Sequence, residues 1–292
     1  MTPTILANNN FSVLPFYTDI ELQNHRKSYA YGDIYPLFTP ANFILPFQIM
    51  RPSRNSTSIG WVRIFDVKGK QVADITARMK ETGLQIARFP DYGIDVIVYP
   101  GTLPYSNNVR DGVYYLSLYD GANVYYSEMF TAKNNISDLM KIEWWDLENM
   151  IFDSGIIVYN NPLFKNKLFL CAEIGKPEYT FEEDGENRDG YYFYSKQLSE
   201  KTYKFTILAP EYLCDAIRLI RMSDYIQITD RYNQVYNCDT FLITPEWQGN
   251  GNLASVDVEF ETATVVKKTG KGYTLQNKGD YNNDYNNDYN ID

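Results

Sequence analysis

The sequence predicts a mainly β protein made of two β-rich modules, the second of which contains one short helix. Three observations carry this. Between Phe43 and Phe130, seven short apolar segments alternate with turn residues. Near the end of the chain, Ala254, Val256, Val258, Phe260 and Thr262 alternate with Ser255, Asp257, Glu259 and Glu261. That is a strand with one apolar and one acidic face. Helical spacing is confined to a stretch after Pro210, where Leu213, Ala216, Ile217 and Ile220 recur on one face and Pro210 suits a first turn.

Residues 1–42 read as an extended N-terminal arm. They have little periodicity but much apolar material, including Phe11, Leu14, Phe16, Tyr17, Ile34, Tyr35, Leu37 and Phe38. Free tails are normally polar, so this arm is expected to dock on its own body or on a neighbouring subunit.

Residues 43–132 hold the seven strand candidates: Phe43–Met50, Gly60–Val67, Gln71–Thr76, Gly83–Phe89, Ile94–Tyr99, Gly112–Tyr119 and Asn123–Phe130. Lys68-Gly69-Lys70 and Asp120-Gly121 have the composition of hairpin turns. Strands of this number and spacing predict an immunoglobulin-like β-sandwich, here without a disulfide because the stretch has no cysteine.

The polar step from Lys133 to Asp138 marks a boundary, and residues 139–268 form the second β-rich domain. Its strand candidates are Gly155–Tyr159, Leu168–Ala172, Tyr203–Ile207, Tyr225–Thr229, Gln234–Cys238, Thr240–Thr244 and Ala254–Thr262, with a polar turn over Asp230–Asn233. The acidic run Glu182-Glu183-Asp184-Gly185-Glu186 reads as a solvated loop, followed by the aromatic run Tyr191–Tyr194. Residues 269–292 form a low-complexity acidic tail in which Asp-Tyr-Asn repeats start at Asp280, Asp284 and Asp288.

Composition excludes several functions. With 27 basic and 37 acidic residues, the net charge of −10 argues against nucleic-acid binding through a general basic surface. Lys267, Lys268 and Lys271 are too few to supply one locally. No apolar run approaches the roughly 18 residues of a membrane span, and no export leader is visible, so a soluble cytosolic product is expected. The 26 tyrosines suit strands and also interfaces, where a rigid amphipathic ring gives contact at low entropic cost.

Catalytic patterns are absent from the sequence. His25, the only histidine, lies in the arm, so multi-histidine metal sites are ruled out and a Ser-His or Cys-His pair has no motif to use. Glu143, Asp146, Glu173 and Glu178 are carboxylates that a glycosidase could pair, but no spacing singles out two of them. The acidic run is no calcium loop, because Gly185 falls too early and Arg188 intrudes. The elements Gly249-Asn250-Gly251 and Gly270-Lys271-Gly272 open no helix and give no phosphate loop. Cys171, Cys214 and Cys238 lack metal-ligand spacing and are expected to be buried or half-buried thiols. No catalytic, cofactor-binding or metal residues are assigned, and no cofactor is expected.

The second module carries a resemblance. The residues concerned are Lys141-Ile142-Glu143-Trp144-Trp145-Asp146, Phe164–Leu170 leading into Ala172–Tyr179, Tyr203–Leu213, and Val256–Thr264. Over roughly residues 140–268 the chain resembles structural proteins encoded by phages and prophages of Bacteroidetes, crAss-like phages included. The N-terminal module fits more loosely. The resemblance implies a virion tail or baseplate subunit, made in the host cytoplasm. It also implies a ring of copies that contacts other tail or baseplate proteins through loops and terminal arms. A surface adhesin or receptor-binding module, stacking sugars on exposed tyrosines near Tyr191–Tyr194, is the expectation's rival.

Overall fold

Alternation in the sequence becomes hydrogen-bonded ladders in the computed structural model, which describes residues 12–18, 37–54, 58–101, 109–147, 150–151, 157–158, 165–188, 191–247, 253–262 and 266–269. The N-terminal part contains β1 (Phe16–Tyr17), β2 (Phe38–Pro40), β3 (Phe47–Pro52), β4 (Trp61–Asp66) and β5 (Gln71–Asp74). Helix α1 (Thr76–Glu81) follows, then β6 (Gln85–Phe89), β7 (Ile94–Tyr99), β8 (Gly112–Tyr119), β9 (Val124–Ser127) and β10 (Phe130–Lys133). The C-terminal part adds β11 (Met140–Trp145), β12 (Met150–Ile151), β13 (Ile157–Val158), β14 (Asn166–Leu170), β15 (Glu178–Arg188) and β16 (Tyr191–Pro210). Helix α2 (Glu211–Ile217) then leads to β17 (Tyr225–Thr229), β18 (Val235–Trp247), β19 (Leu253–Thr262) and β20 (Val266–Thr269). The fold is mainly β, as expected.

Strands β3, β7 and β6 make a three-stranded antiparallel sheet. Phe47 and Ile49 of β3 and Ile97 and Tyr99 of β7 join the buried cluster that also holds Val62, Ile64, Leu116 and Leu118 of β4 and β8. Met50, Ile94, Val96 and Val98 form a second buried cluster on the other face of that small sheet. β7 is thus buried along its whole length, in keeping with its nearly unbroken apolar run.

The remaining ladder runs β5–β4–β8, continues through β9 and β10 along one edge of β8, and then passes β2–β14–β11–β17–β18–β19–β16–β15. β2 is the splice. It lies parallel to β10, with Phe38 opposite Thr131, and antiparallel to β14, with Phe38 opposite Phe169. One contiguous apolar cluster, from Val13 to Phe260, follows the same path.

The described pieces of the N-terminal stretch dock on their own chain. Val13, Leu14 and Phe16 are buried, and β1 pairs with β9. The Tyr17 hydroxyl donates to the Glu128 carboxylate at 3.3 Å, and the Glu128 amide donates to the Pro15 carbonyl.

Three hairpins use one device. The Asp66 carboxylate accepts from the amides of Lys68 and Lys70, Asp120 from those of Ala122 and Asn123, and Asp230 from those of Tyr232 and Gln234. In each case the side chain satisfies turn amides that the ladder cannot reach. Gly69 and Gly121 take φ of 76° and 91°, a region where Cβ is costly, which accounts for glycine at those turns.

Several elements depart from the sequence expectation. Gln71–Thr76 does not continue as a strand; it turns at Asp74, whose carboxylate accepts from the Thr76 amide and hydroxyl, and α1 begins. α1 has one buried residue, Met79, so six residues leave no periodicity to read. Among the described residues there is therefore a second α-helix besides α2, the one expected. β18 is one strand with a register shift between Cys238 and Thr240, where two were expected. Of Gly155–Tyr159, only Ile157 and Val158 are described, paired with β12. The largest departure is the acidic run, which is no loop but part of β15. His25, most of the N-terminal arm and the repeats of the acidic tail lie outside the described residues.

Candidate functional site

One end of the long sheet is drawn out into a ribbon. β15 pairs with the first part of β16 from Glu178 opposite Thr202 to Arg188 opposite Tyr191, with a bulge between Asp184 and Gly185. With 11 residues and a rise of about 3.4 Å each, β15 is about 35 Å long. Successive residues from Glu178 to Asp184 are all exposed, so both faces of β15 stand in solvent there. β20 backs the ribbon for four residues, Lys196 lying opposite Thr269 and Ser199 opposite Val266.

The ribbon holds itself by cross-strand pairs. The Lys201 ammonium sits 5.6 Å from the Tyr179 ring centroid, directly across the ladder. The Gln197 amide donates to the Glu183 carboxylate at 2.9 Å, and the Ser195 hydroxyl to the Asp184 carbonyl at 3.0 Å. Lys204 binds Glu178 at 2.9 Å and Glu259 at 3.5 Å. The hydrogen bond that Lys204 donates to Glu178, together with the charges of both carboxylates, raises the Lys204 pKa against desolvation. Tyr192 and Tyr194 meet edge to face at 4.9 Å and are both exposed. Phe181 is 71% exposed, a large apolar side chain with no core to enter.

A cleft of about 460 Å³ opens at the ribbon's root, lined by Lys201, Tyr203, Gln234, Tyr236, Asn237 and Thr262, with Val235 at its side. Tyr203 and Tyr236 meet edge to face at 5.1 Å, and Tyr203 stacks on Phe260 at 5.3 Å. Burial, with the nearby Asp230 carboxylate, raises the Tyr236 pKa. Aromatic walls beside amide and ammonium donors suit a hydroxyl-rich ligand more than an apolar one.

Another edge of the sheet is the β4–β5 hairpin, which branches from β8. Val67 and Val72 are exposed there, as are Lys68 and Lys70. Asp74 is tied to Arg63 at 3.1 Å.

The four carboxylates considered for catalysis are each engaged with a different partner. Glu143 lies 2.7 Å from Lys141 and 3.7 Å from Lys167. Asp146 accepts from the Asp224 amide at 2.7 Å and from the Ser223 hydroxyl, and burial raises its pKa. Glu173 binds Arg231, and Glu178 binds Lys204. Among the described residues, no group of three His, Cys, Asp or Glu side chains is placed to hold a metal.

The thiols divide. Cys214 is buried and Cys238 half-buried, as expected, and burial pushes them up to about 11 and about 12. Cys171 is exposed, contrary to expectation; it follows the last residue of β14, where the chain leaves the sheet.

Sequence reasoning missed the ribbon because its residues carry no one-sided alternation. It also missed the β5 end as a feature, since Lys68 and Lys70 read only as turn residues. Among the described residues, no helix is long and apolar enough to cross a membrane. No family model matches the chain, and neither a curated protein nor a solved structure does.

Proposed function

We propose that the chain is a bacteriophage virion structural protein, a tail or baseplate subunit that acts through protein–protein assembly and without catalysis. The observation that carries this reading is the ribbon. Beyond β20 the ribbon's outer end is a two-stranded hairpin, marginal by itself in water, and the ribbon as a whole presents Phe181, Tyr179, Tyr192 and Tyr194 to solvent. Aromatic residues of this kind, ringed by charge, are the composition of an interface core with a polar rim. The resemblance drawn from the sequence over roughly residues 140–268 implies the same reading.

Under this reading the N-terminal half is an immunoglobulin-like sandwich. In support, the β3–β7–β6 sheet and the β5–β4–β8 ladder share a core, and β2 runs parallel to β10 along its edge. The partners are other copies of the chain in a ring and neighbouring tail or baseplate proteins, and the protein resides in the virion tail.

A second reading, a carbohydrate-binding adhesin or receptor-binding module, is favoured by the cleft between Tyr203 and Tyr236. One experiment separates the two. Immunogold electron microscopy with antibody against residues 140–268 is applied to lysates of cells that produce the protein. Gold on tails or tail-bearing particles is the expected result. Gold on cell envelopes with bare particles overturns the tail reading in favour of the adhesin.

A further inference from the structure

Resting on the second, carbohydrate-binding reading, we propose that the cleft at the ribbon's root binds a saccharide that carries a carboxylate, with the acid group on Lys201 and a sugar ring against Tyr203. A receptor-binding module mounted on a tail would use the site in the same way.

The cleft lies where one face of the sheet runs out of cover. Phe205 stands opposite Val258 and Tyr203 opposite Phe260, and α2 packs against β16 and β19 on that face. Alternation keeps Lys201 on it, two residues before Tyr203. Tyr236 joins from β18, where Cys238, two residues on, stands opposite Thr262. Phe205 and Phe260 are buried, whereas Lys201 and Tyr203 are half-buried. Cover therefore ends between Phe205 and Tyr203, and there the cleft begins. Across the ladder from Lys201 and Ser199, the exposed Tyr179 and Phe181 carry the same face on into solvent.

The side chains select the ligand. Lys201 is the one charged residue in the lining. Among the described residues its ammonium meets the Tyr179 ring and no carboxylate. Asp230 keeps its charge beside Tyr236, but it lies outside the lining. A half-buried cation without a counter-ion leaves a place for one anionic group. A phosphate asks for more, since it carries close to two charges, and here it would meet one lysine and no helix N-terminus. A wholly apolar ligand would strand the ammonium and the Gln234 amide. A sugar acid answers both demands: its ring offers a C–H face to tyrosine, and its hydroxyls meet Gln234 and Thr262. The cleft's volume of about 460 Å³ falls within the range of small-molecule sites, about 300–1,000 Å³.

The test uses the full-length protein and a panel of oligosaccharides bearing galacturonic, glucuronic or sialic acid. Each is paired with its methyl ester, which has nearly the same size and no charge. Binding is read by isothermal titration calorimetry and by saturation-transfer NMR. Wild type is expected to bind at least one acid about tenfold more tightly than its ester, and to lose part of that preference at high salt. Lys201→Gln is expected to abolish the preference and leave the ester's affinity unchanged. Lys204→Gln deletes the same charge on the opposite face of β16 and is expected to retain it. Circular dichroism of each variant, unchanged from wild type, shows that the fold survives.

Absence of any preference for acid over ester overturns the inference, as does a preference that Lys204→Gln weakens as much as Lys201→Gln. Oligosaccharides bound equally in both forms sink the Lys201 subsite and leave the carbohydrate reading standing. No binding in either form sinks both. An acid held through Lys201 by a protein that immunogold finds on tails keeps the site and places it on the virion.

Discussion

Arg51 shows how a single residue can tie this fold together. Its side chain is 1% exposed, and its guanidinium lies 2.6 Å from Asp120 and 3.5 Å from Asp95, both with fully buried side chains. Arg54 reaches Asp120 at 3.4 Å, Ser53 donates to Asp95 at 2.6 Å, and the Tyr125 hydroxyl donates to Asp120. The cluster joins β3 and β7 to the β8–β9 turn. Burial pushes the Asp120 carboxyl up, but the Asn123 and Ala122 amides and Arg51 together outweigh it and hold it below the ordinary value. Removing one partner strands a buried charge, so Asp120→Ala should cost about 3–5 kcal/mol in urea unfolding at neutral pH. The sign follows from a lowered folded pKa. Asp120 adds stability above its unfolded value of about 3.9, and that contribution disappears as pH falls through the folded value. The gap between wild type and variant should therefore narrow below about pH 4. A gap that is constant with pH would show that Asp120 acts by packing alone. None of this was legible beforehand: Arg51, Asp95 and Asp120 are distant in sequence, and Asp120 read only as a turn residue.

Elements were legible in proportion to how one-sided their burial is. β19 has its apolar residues on a core face and its acidic ones towards solvent, so its alternation could be read directly. α2 buries Tyr212, Leu213, Cys214, Ala216 and Ile217, enough to show its period even over seven residues. β15 and the outer part of β16 have solvent on both sides, so no pattern distinguishes them from an acidic loop. What makes them strands is cross-strand pairing, which depends on residues that lie at a distance along the chain. The same property makes a prediction. With little buried area behind them, amides of residues 178–197 should exchange hydrogen far faster than those of Val256–Phe260 in the core. Phe181→Ala should change stability by no more than about 0.5 kcal/mol. Phe260→Ala should cost about 3–5 kcal/mol. Slow exchange throughout the ribbon of the monomer, or a large cost at Phe181, would show that it packs against the body rather than waiting for a partner.

Across the whole molecule, the question is whether a chain that reads as two modules behaves as two. The composition dips into polarity between Lys133 and Asp138, and β10 and β11 do end and begin on either side of it. The ladder nevertheless crosses that step through β2, which no local pattern announces; three residues of an aromatic-rich arm complete it. Phe38 is opposed on one side by Thr131 and on the other by Phe169, and Thr39, buried beside it, donates its hydroxyl to the Phe43 carbonyl at 2.9 Å. The Phe43 ring packs edge-on to Phe169 at 5.9 Å, and the Lys167 ammonium donates to the Gly101 carbonyl at 3.3 Å. Burial lowers the Lys167 pKa against the pull of Glu143, as befits a cation folded into this seam. Backbone pairing, apolar contact and a half-buried cation thus all link the halves at one place. Equilibrium unfolding should accordingly be a single transition, with near-ultraviolet signals from both halves and the far-ultraviolet signal of the strands superimposing. Substituting Phe38 by Ala should lower the midpoint and pull those curves apart, because it thins the seam without touching either core beyond it. Two separate transitions in the wild-type protein would mean that the seam is too weak to couple the halves.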